Sequence, residues 1–150
     1  MTSATKSTVW ARRRSRRALV QAVYQWQMAD NDLVRIEADF LADGSLVKAD
    51  VEFFRELLRA TVSSVAELDE VITPLLDRSL ASLDQIELAV LRLGSAELKT
   101  RIDIPYRVVI SEYVELTKTF GAEDGHKYVN GVLDKLALTL RPIETASERV

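Results

Sequence analysis

The residue pattern with the clearest chemical potential is a run of arginines near the N-terminus. Five arginines occur within six positions: Arg12, Arg13, Arg14, Arg16 and Arg17. A guanidinium group can pair with phosphate through two parallel hydrogen bonds and can also stack on a base. At helical spacing, four polar residues lie on one face: Arg13, Arg17, Gln21 and Tyr24. An arginine track that ends in a tyrosine is typical of single-stranded RNA binding, with charge for the backbone and a ring for a base.

The arginine run leaves other interpretations open. Cations near a helix N-terminus oppose the helix dipole and repel one another, so helix stability does not explain their placement. An acidic protein partner, a membrane surface and a merely solvated basic surface are the alternatives to a nucleic acid. The run by itself does not separate RNA from DNA.

Charge is distributed unevenly along the chain. The first 17 residues contain six basic side chains and no acidic one, a charge of +6. The other residues carry the remaining 14 basic and all 23 acidic side chains, a charge of −9, so that the net charge of the chain is −3. An acidic body with one concentrated basic end indicates that a polyanion binds at one place.

Residues 120–135 contain the other concentration of reactive side chains, including Glu123, Asp124, His126 and Lys127. A general acid–base site is one interpretation. Acidic residues in the first turn of a helix are, however, favoured by the helix dipole alone. The chain has one histidine and no cysteine, which excludes thiolate sites and sites that need two imidazoles. It also lacks nucleotide-binding glycine loops and serine hydrolase motifs.

These residues must be positioned by helices. Five glycines and three prolines are too few for a many-turned β fold, and the apolar residues recur at helical spacing. The first helix is predicted over about 9–28, with an apolar stripe that contains Leu19, Ala22, Val23 and Trp26. The fold class predicted is all-α, a compact single-domain bundle of about seven helices.

Single residues predict where helices begin and end. The segment 30–32 should break the first helix and cap the second, Asp50 should cap the third, and Ser82 or Asp84 the fifth. Pro74 should kink or shorten the fourth helix, and Pro105 should be the first residue of the sixth. Gly121 is predicted to end the sixth helix in a left-handed conformation. The last helix should begin near Glu123 and end before Pro142.

The predicted domain covers residues 9–140, between disordered tails at 1–8 and 141–150. The basic N-terminus leads into an amphipathic segment instead of a short apolar core, so we expect no signal peptide. No apolar run approaches the roughly 20 residues of a membrane-spanning helix. The expected location is therefore the cytoplasm.

Three segments resemble the signature regions of the NusB antitermination factors. They are residues 11–26 (ARRRSRRALVQAVYQW), residues 87–112, with ELAVLR and IPYRVVISE, and residues 120–135 (FGAEDGHKYVNGVLDK). The resemblance implies an all-α fold of two packed helical halves. It also implies binding to the boxA segment of nascent RNA together with the ribosomal protein NusE, so that RNA polymerase in the antitermination complex resists termination on ribosomal RNA operons. No cofactor, metal or catalytic residue is expected.

The resemblance also implies the site residues. The RNA-binding residues that it implies are Arg12, Arg13, Arg14, Arg16, Tyr24, Lys127 and Tyr128. Arg17 joins this set from the helical face described above, and it adds a charge where the cluster often ends in the family. Lys127 and Tyr128 are expected on the same RNA-binding face as the arginines. The surface for NusE is expected around the fifth helix, with Glu87 as the candidate residue.

Two other functions and one assembly state are compatible with the sequence. A NusB-like domain also occurs in front of RNA methyltransferases, but these 150 residues include no cofactor loop. A protein-interaction scaffold would use the arginines for an acidic protein and would show no useful RNA affinity. A homodimer is possible, and it could cover the RNA face.

Overall fold

The computed structural model describes residues 3–29 and 32–148. Residues 1, 2, 30, 31, 149 and 150 lie outside the described part. The ends of both predicted tails and two residues of the predicted break at 30–32 are among them. The described residues form helices and turns, with no β-strand among them. The helices are α1 (Ser3–Ala29), α2 (Leu33–Ala42), α3 (Val51–Ser63), α4 (Val65–Ile72), α5 (Gln85–Thr100), α6 (Tyr106–Phe120), α7 (Gly125–Leu140) and α8 (Pro142–Glu148). Two short 3-10 turns span Thr73–Leu75 and Leu80–Ser82. The predicted all-α fold is confirmed, and α8 is additional to the predicted seven helices.

Helix α1 carries the arginine run and contributes to the core. Its predicted apolar stripe is confirmed, because Leu19, Ala22 and Val23 are fully buried and Trp26 packs against the core. No glycine or proline interrupts its 27 residues, so the helix is about 40 Å long and extends into the segment 1–8 that was predicted as a tail. Although α1 is the longest helix, neither it nor any other described helix is long and apolar enough to cross a bilayer.

Helix α5 is surrounded by other helices. Helices α1, α3, α4, α6 and α7 all pack against it. Every residue from Leu88 to Leu98 is therefore buried, apart from Arg92. Gly94 permits the close approach of α7, because a Cβ at this position would lie 2.8 Å from the Leu133 side chain. The position of α5 explains how α1 and α6 come to lie side by side on its surface.

Aspartates begin three of the helices. The Asp32 carboxylate accepts a hydrogen bond from the Val34 N–H, and that of Asp50 accepts one from the Phe53 N–H. The Asp84 carboxylate accepts from two N–H groups at the start of α5. Such caps satisfy backbone donors that have no partner inside the helix. The predicted cap at Asp50 is confirmed, and Asp84 instead of Ser82 caps α5.

The prolines and glycines at helix ends agree with the sequence only in part. Helix α4 ends at Ile72, just before Pro74, as predicted. Pro105 precedes the first residue of α6 and does not belong to the helix. The prediction for Gly121 is wrong: its φ is −89° and its ψ is 177°, and the left-handed residue is Asp124, with φ of 67°. A glycine is needed at 121 for space, since a Cβ there would lie 2.8 Å from the Thr117 carbonyl oxygen.

The C-terminal segment also differs from the predicted tail. Helix α7 ends at Leu140, before Pro142 as predicted, but a further helix follows. The buried Arg141 guanidinium donates hydrogen bonds to the carbonyl oxygens of Leu98, Arg101 and Ile104. Arg141 also pairs with Glu144, at 2.6 Å. These bonds connect the segment to the end of α5 and the following loop, and they order it because buried carbonyl groups need donors.

Candidate nucleic-acid interface

The exposed face of α1 carries a row of cationic and aromatic side chains. Arg13, Arg17, Gln21 and Tyr24 are all exposed along it, at the helical spacing that the sequence predicts. Arg14 is also exposed, one position away from Arg13. Because the opposite face of α1 is buried, these side chains project from the protein in a fixed order. Along α1, the cationic side chains come first and the Tyr24 ring follows them.

Helix α6 forms the second wall of a groove beside this row. The groove is open, has a volume of about 580 Å³ and lies between arginines of α1 and polar residues of α6. Arg13 Nε donates a hydrogen bond to Glu112 Oε1 at 2.8 Å, and the Arg13 side chain is 48% exposed. An exposed pair of this kind contributes little to stability, so a phosphate can replace the carboxylate. The groove can therefore accept a phosphate at Arg13 in exchange for Glu112.

Aromatic rings lie within the same row. The Arg13 guanidinium lies 5.1 Å from the centre of the Trp10 ring, and Trp10 is 60% exposed. Arg17 lies 5.3 Å from the centre of the Phe120 ring. Trp10 is a surface residue that lines the groove. Its spacing of three residues from Arg13 is the sequence signal that places both on one face.

The far end of the row is apolar. A shallow depression of about 640 Å³ is lined by Tyr24, Met28, Ile86 and Phe120, together with polar and small residues of α1. Tyr24 is 37% exposed. Exposed rings beside arginines are the combination on which unpaired bases can stack.

Arg12 lies on another side of α1 than Arg13. It faces α3, where its Nε is 3.8 Å from an Asp50 carboxylate oxygen. Its guanidinium also lies 5.5 Å from the centre of the Phe53 ring, and its side chain is partly buried. Arg12 is therefore not part of the exposed row.

The assignment of Arg16 to the RNA surface is corrected by its position. Its side chain is 3% exposed, and its Nη2 lies 2.6 Å from Glu97 Oε2. The Tyr113 hydroxyl donates a hydrogen bond to the other Glu97 oxygen at 2.8 Å. Burial opposes the charge of Arg16, but the hydrogen bonds and charge of Glu97 hold its pKa above the usual value. Arg16 belongs to the core, because a buried charge requires a partner of opposite sign.

Tyr113 is fully buried beside this ion pair. Burial and the neighbouring Glu97 carboxylate raise its pKa well above the usual value, so the hydroxyl keeps its proton and can donate. The cluster of Arg16, Glu97 and Tyr113 therefore joins α1, α5 and α6. We call it the buried Arg16 cluster.

Lys127 and Tyr128 lie at the start of α7 and are held by other partners. Lys127 is exposed and pairs with Asp124 at 3.3 Å. The Tyr128 ring lies 4.2 Å below the Arg78 guanidinium. Burial raises the pKa of Tyr128, and the side chain of the adjacent Asp77 adds to this increase. Among the described residues, no hydrogen bond, ion pair or ring contact joins Lys127 or Tyr128 to the arginines of α1.

Glu87 lies in the first turn of α5, against the start of α7. A Cβ at Gly125 would lie 3.6 Å from the Glu87 carboxyl group, so the first turns of α5 and α7 are in contact. Burial raises the pKa of Glu87, and the nearby Asp84 raises it further. Arg78 acts electrostatically on both Glu87 and Tyr128. The candidate partner residue and a candidate RNA residue therefore share one patch around Arg78, a residue that sequence reasoning missed.

Comparisons with known proteins converge on one family. The sequence model of the NusB family matches residues 13–138. The transcription antitermination protein NusB of Alcanivorax borkumensis is 57% identical over 143 residues, 95% of each chain. T. maritima NusB superposes with a TM-score of 0.76 at 35% identity, over 84% of this chain and 89% of that one. A crystal structure of the antitermination factors NusB and NusE in complex with dsRNA superposes with a TM-score of 0.78 at 25% identity, over 87% and 98%.

Proposed function

The chain belongs to the NusB family, and on this premise we propose that it is a transcription antitermination factor that binds RNA together with NusE. Its target is boxA-type RNA in nascent ribosomal transcripts. Bound there within the antitermination complex, it helps RNA polymerase to resist termination. This role is one of binding and not of catalysis, and it places the protein where transcription occurs, in the cytoplasm.

The observation that carries this proposal is the exposed row on α1. Arg13, Arg14 and Arg17 project on the exposed side of one rigid helix, next to the rings of Trp10 and Tyr24. Arginines at this spacing can contact successive phosphates, and the rings can stack on bases between them. Because helix packing fixes the row before RNA arrives, little conformational entropy is lost on binding.

Arg12 is proposed in a smaller role. It is partly exposed at the edge of α1, where it can add to the positive field without a direct contact. Lys127 and Tyr128 are proposed as an outer RNA contact at the start of α7, apart from the α1 row.

NusE is proposed to dock near the first turn of α5. Glu87 is half-buried there, and Arg78 acts on it electrostatically. A carboxylate that is only partly solvated gains more from a cationic partner than a fully exposed one does. Arg78, which lies over the Tyr128 ring and acts electrostatically on Glu87, would let one partner, RNA or NusE, influence the binding of the other.

The decisive experiment measures RNA binding with and without NusE. A boxA oligonucleotide, a scrambled single strand and a duplex of the boxA sequence are compared at two salt concentrations. We expect selective binding to the boxA single strand, stronger with NusE and weaker at higher salt because bound phosphates release counterions. The duplex is included because the similar NusB–NusE complex contains dsRNA. Preference for the duplex would replace the single-strand assignment.

Other outcomes of this experiment contradict the proposal. Equal binding to the boxA and scrambled strands would indicate a general polyanion binder. Absence of binding in every condition would favour the scaffold function, in which the arginines contact an acidic protein. Light scattering on the same samples measures the molar mass and so shows whether the protein is a homodimer, a state that could cover the row.

A further inference from the structure

Helix α1 has two flanks, and they differ in charge. On the flank beside α6, the groove is lined by Glu112 and Glu115 as well as by arginines. Glu112 already pairs with Arg13 there. The other flank faces the segment between α2 and α3. A second groove of about 430 Å³ runs along it, lined by Lys6, Ser7, Trp10, Ala11, Arg14 and Lys48, with no acidic residue.

The segment between α2 and α3 is anchored to α1. The Asp50 N–H donates a hydrogen bond to the Ala11 carbonyl oxygen at 3.2 Å. Ser15, buried in α1, donates from its hydroxyl to the Asp50 carbonyl oxygen at 2.7 Å. Leu46 is buried in the core. These contacts hold the exposed residues 47 and 48 at a defined place beside the arginine run.

Lys48 is the residue that this anchoring presents. Its φ is 65°, in the left-handed region that side chains other than glycine seldom adopt. Its side chain is exposed and lines the same groove as Arg14 and Lys6. Among the described residues, neither Lys48 nor Arg14 is within ion-pair distance of an acid.

The acids of this segment are occupied by other groups. The Asp43 carboxylate accepts a hydrogen bond from the Ser45 N–H at 2.8 Å. Asp50 caps α3 and lies 3.8 Å from Arg12. The flank is also continuous with the exposed row, because Arg14 and Arg17 line a small adjoining groove with Gln21 and Ser45. A chain of phosphates can thus follow cations from Lys48 to Arg17 along grooves whose described lining residues include no acid.

We propose that the RNA backbone follows this flank of α1 and that Lys48 is a further phosphate-binding residue of the site. The inference rests on the proposed function and specifies the path of the same ligand. The flank beside α6 is the less favourable path, because Glu112 and Glu115 repel phosphate there. The RNA then contacts the arginines of α1 from the flank that faces the α2–α3 segment, with Arg14 at the centre of the contact.

The test uses the full chain with NusE and a boxA single strand, and it measures affinity between about 50 and 200 mM salt. Lys48→Gln removes the charge and keeps the length of the side chain. Lys48→Arg keeps the charge. Lys135→Gln is the matched control, since Lys135 is also exposed but lies on α7. Circular dichroism verifies that all three variants fold.

We expect Lys48→Gln to weaken binding by about three- to tenfold and to lower the salt slope by about 0.7, the value for one phosphate contact on a single strand. Lys48→Arg and Lys135→Gln should bind as the parent protein does. Two results overturn the inference while the proposed function stands: unchanged binding by Lys48→Gln, or equal weakening by Lys48→Gln and Lys135→Gln. Failure of the parent protein to bind any RNA overturns both.

Discussion

The arginine run contributes to two regions, which differ in the burial of their arginines and in the partners of those arginines. Arg13 and Arg17 lie on the exposed row, whereas Arg16, on the same helix, lies in the buried Arg16 cluster. Arg13 pairs with a carboxylate that solvent or a phosphate can replace. Arg16 pairs with Glu97, which is fully buried. The comparison teaches that charge near the N-terminus has two uses: some arginines position α1, and others remain available to a ligand.

The largest expected effect concerns the buried region. Arg16→Ala leaves Glu97 charged and without its partner in the core, so we expect a loss of about 3–5 kcal/mol in the free energy of unfolding. Urea denaturation measures this loss. Arg13→Ala is the control and should cost less than about 1 kcal/mol, because its ion pair is exposed. Equal losses for the two variants would remove the distinction between the two regions.

The converse experiment concerns the exposed region. Arg13→Ala combined with Arg17→Ala should weaken RNA binding by about tenfold or more and lower the salt slope by about 1.4, since two phosphate contacts are lost. Stability should hardly change. Affinity is measured over a salt series and stability by urea denaturation of the same samples. An unchanged affinity and slope would rule out the row as the RNA site.

A smaller effect is expected at the contact between the two regions. Glu112 pairs with Arg13 at 2.8 Å and lies 4.0 Å from Arg16. Glu112→Gln should free Arg13 and strengthen RNA binding about two- to fivefold, while Glu97 continues to hold Arg16. Glu67→Gln serves as a control, because Glu67 is in a similarly exposed pair with Lys99 but lies on α4, outside the groove lining. Weaker binding by Glu112→Gln would show that the carboxylate orients Arg13 for the ligand instead of competing with it.

The smallest expected effect concerns a glutamate, Glu87, in comparison with the buried Glu97. Unlike Glu97, Glu87 is only half-buried and forms no ion pair with an arginine of the described residues, and burial raises its pKa. Because the pKa of Glu87 is higher in the folded state, the unfolded chain loses this proton at a lower pH than the folded protein does. The free energy of unfolding therefore falls as the pH rises from the unfolded-state pKa to the folded-state pKa. Glu87→Gln should therefore raise the melting temperature slightly at pH 7 and have no effect near pH 4, below that interval. A decrease at pH 7 would mean that the ionised carboxylate stabilises the fold.

Much of the fold follows from local sequence signals. The apolar stripe of α1, the aspartate cap at Asp50 and the end of α4 before Pro74 depend on residues within a few positions of one another. Such signals act through backbone geometry and nearby hydrogen bonds, which a sequence contains directly. The exposed order of Arg13, Arg17 and Tyr24 follows from helical spacing in the same way.

The errors share a different cause. Nothing local distinguishes Arg16 from Arg17, because its partner Glu97 is 81 residues away. Nor could local signals show that the α2–α3 segment lies beside Arg14, or that Tyr128 lies against Arg78. The segment after Arg141 is ordered by carbonyl groups about 40 positions earlier.

The sequence by itself determined helices α1 to α7, most of their ends and the face on which the arginines of α1 appear. Only the tertiary structure decided which of those arginines solvent can reach. The physical reason is that helical periodicity depends on neighbours in the chain. Burial and charge pairing depend on what packs against a side chain, and here that is decided by how α5 and α6 meet α1.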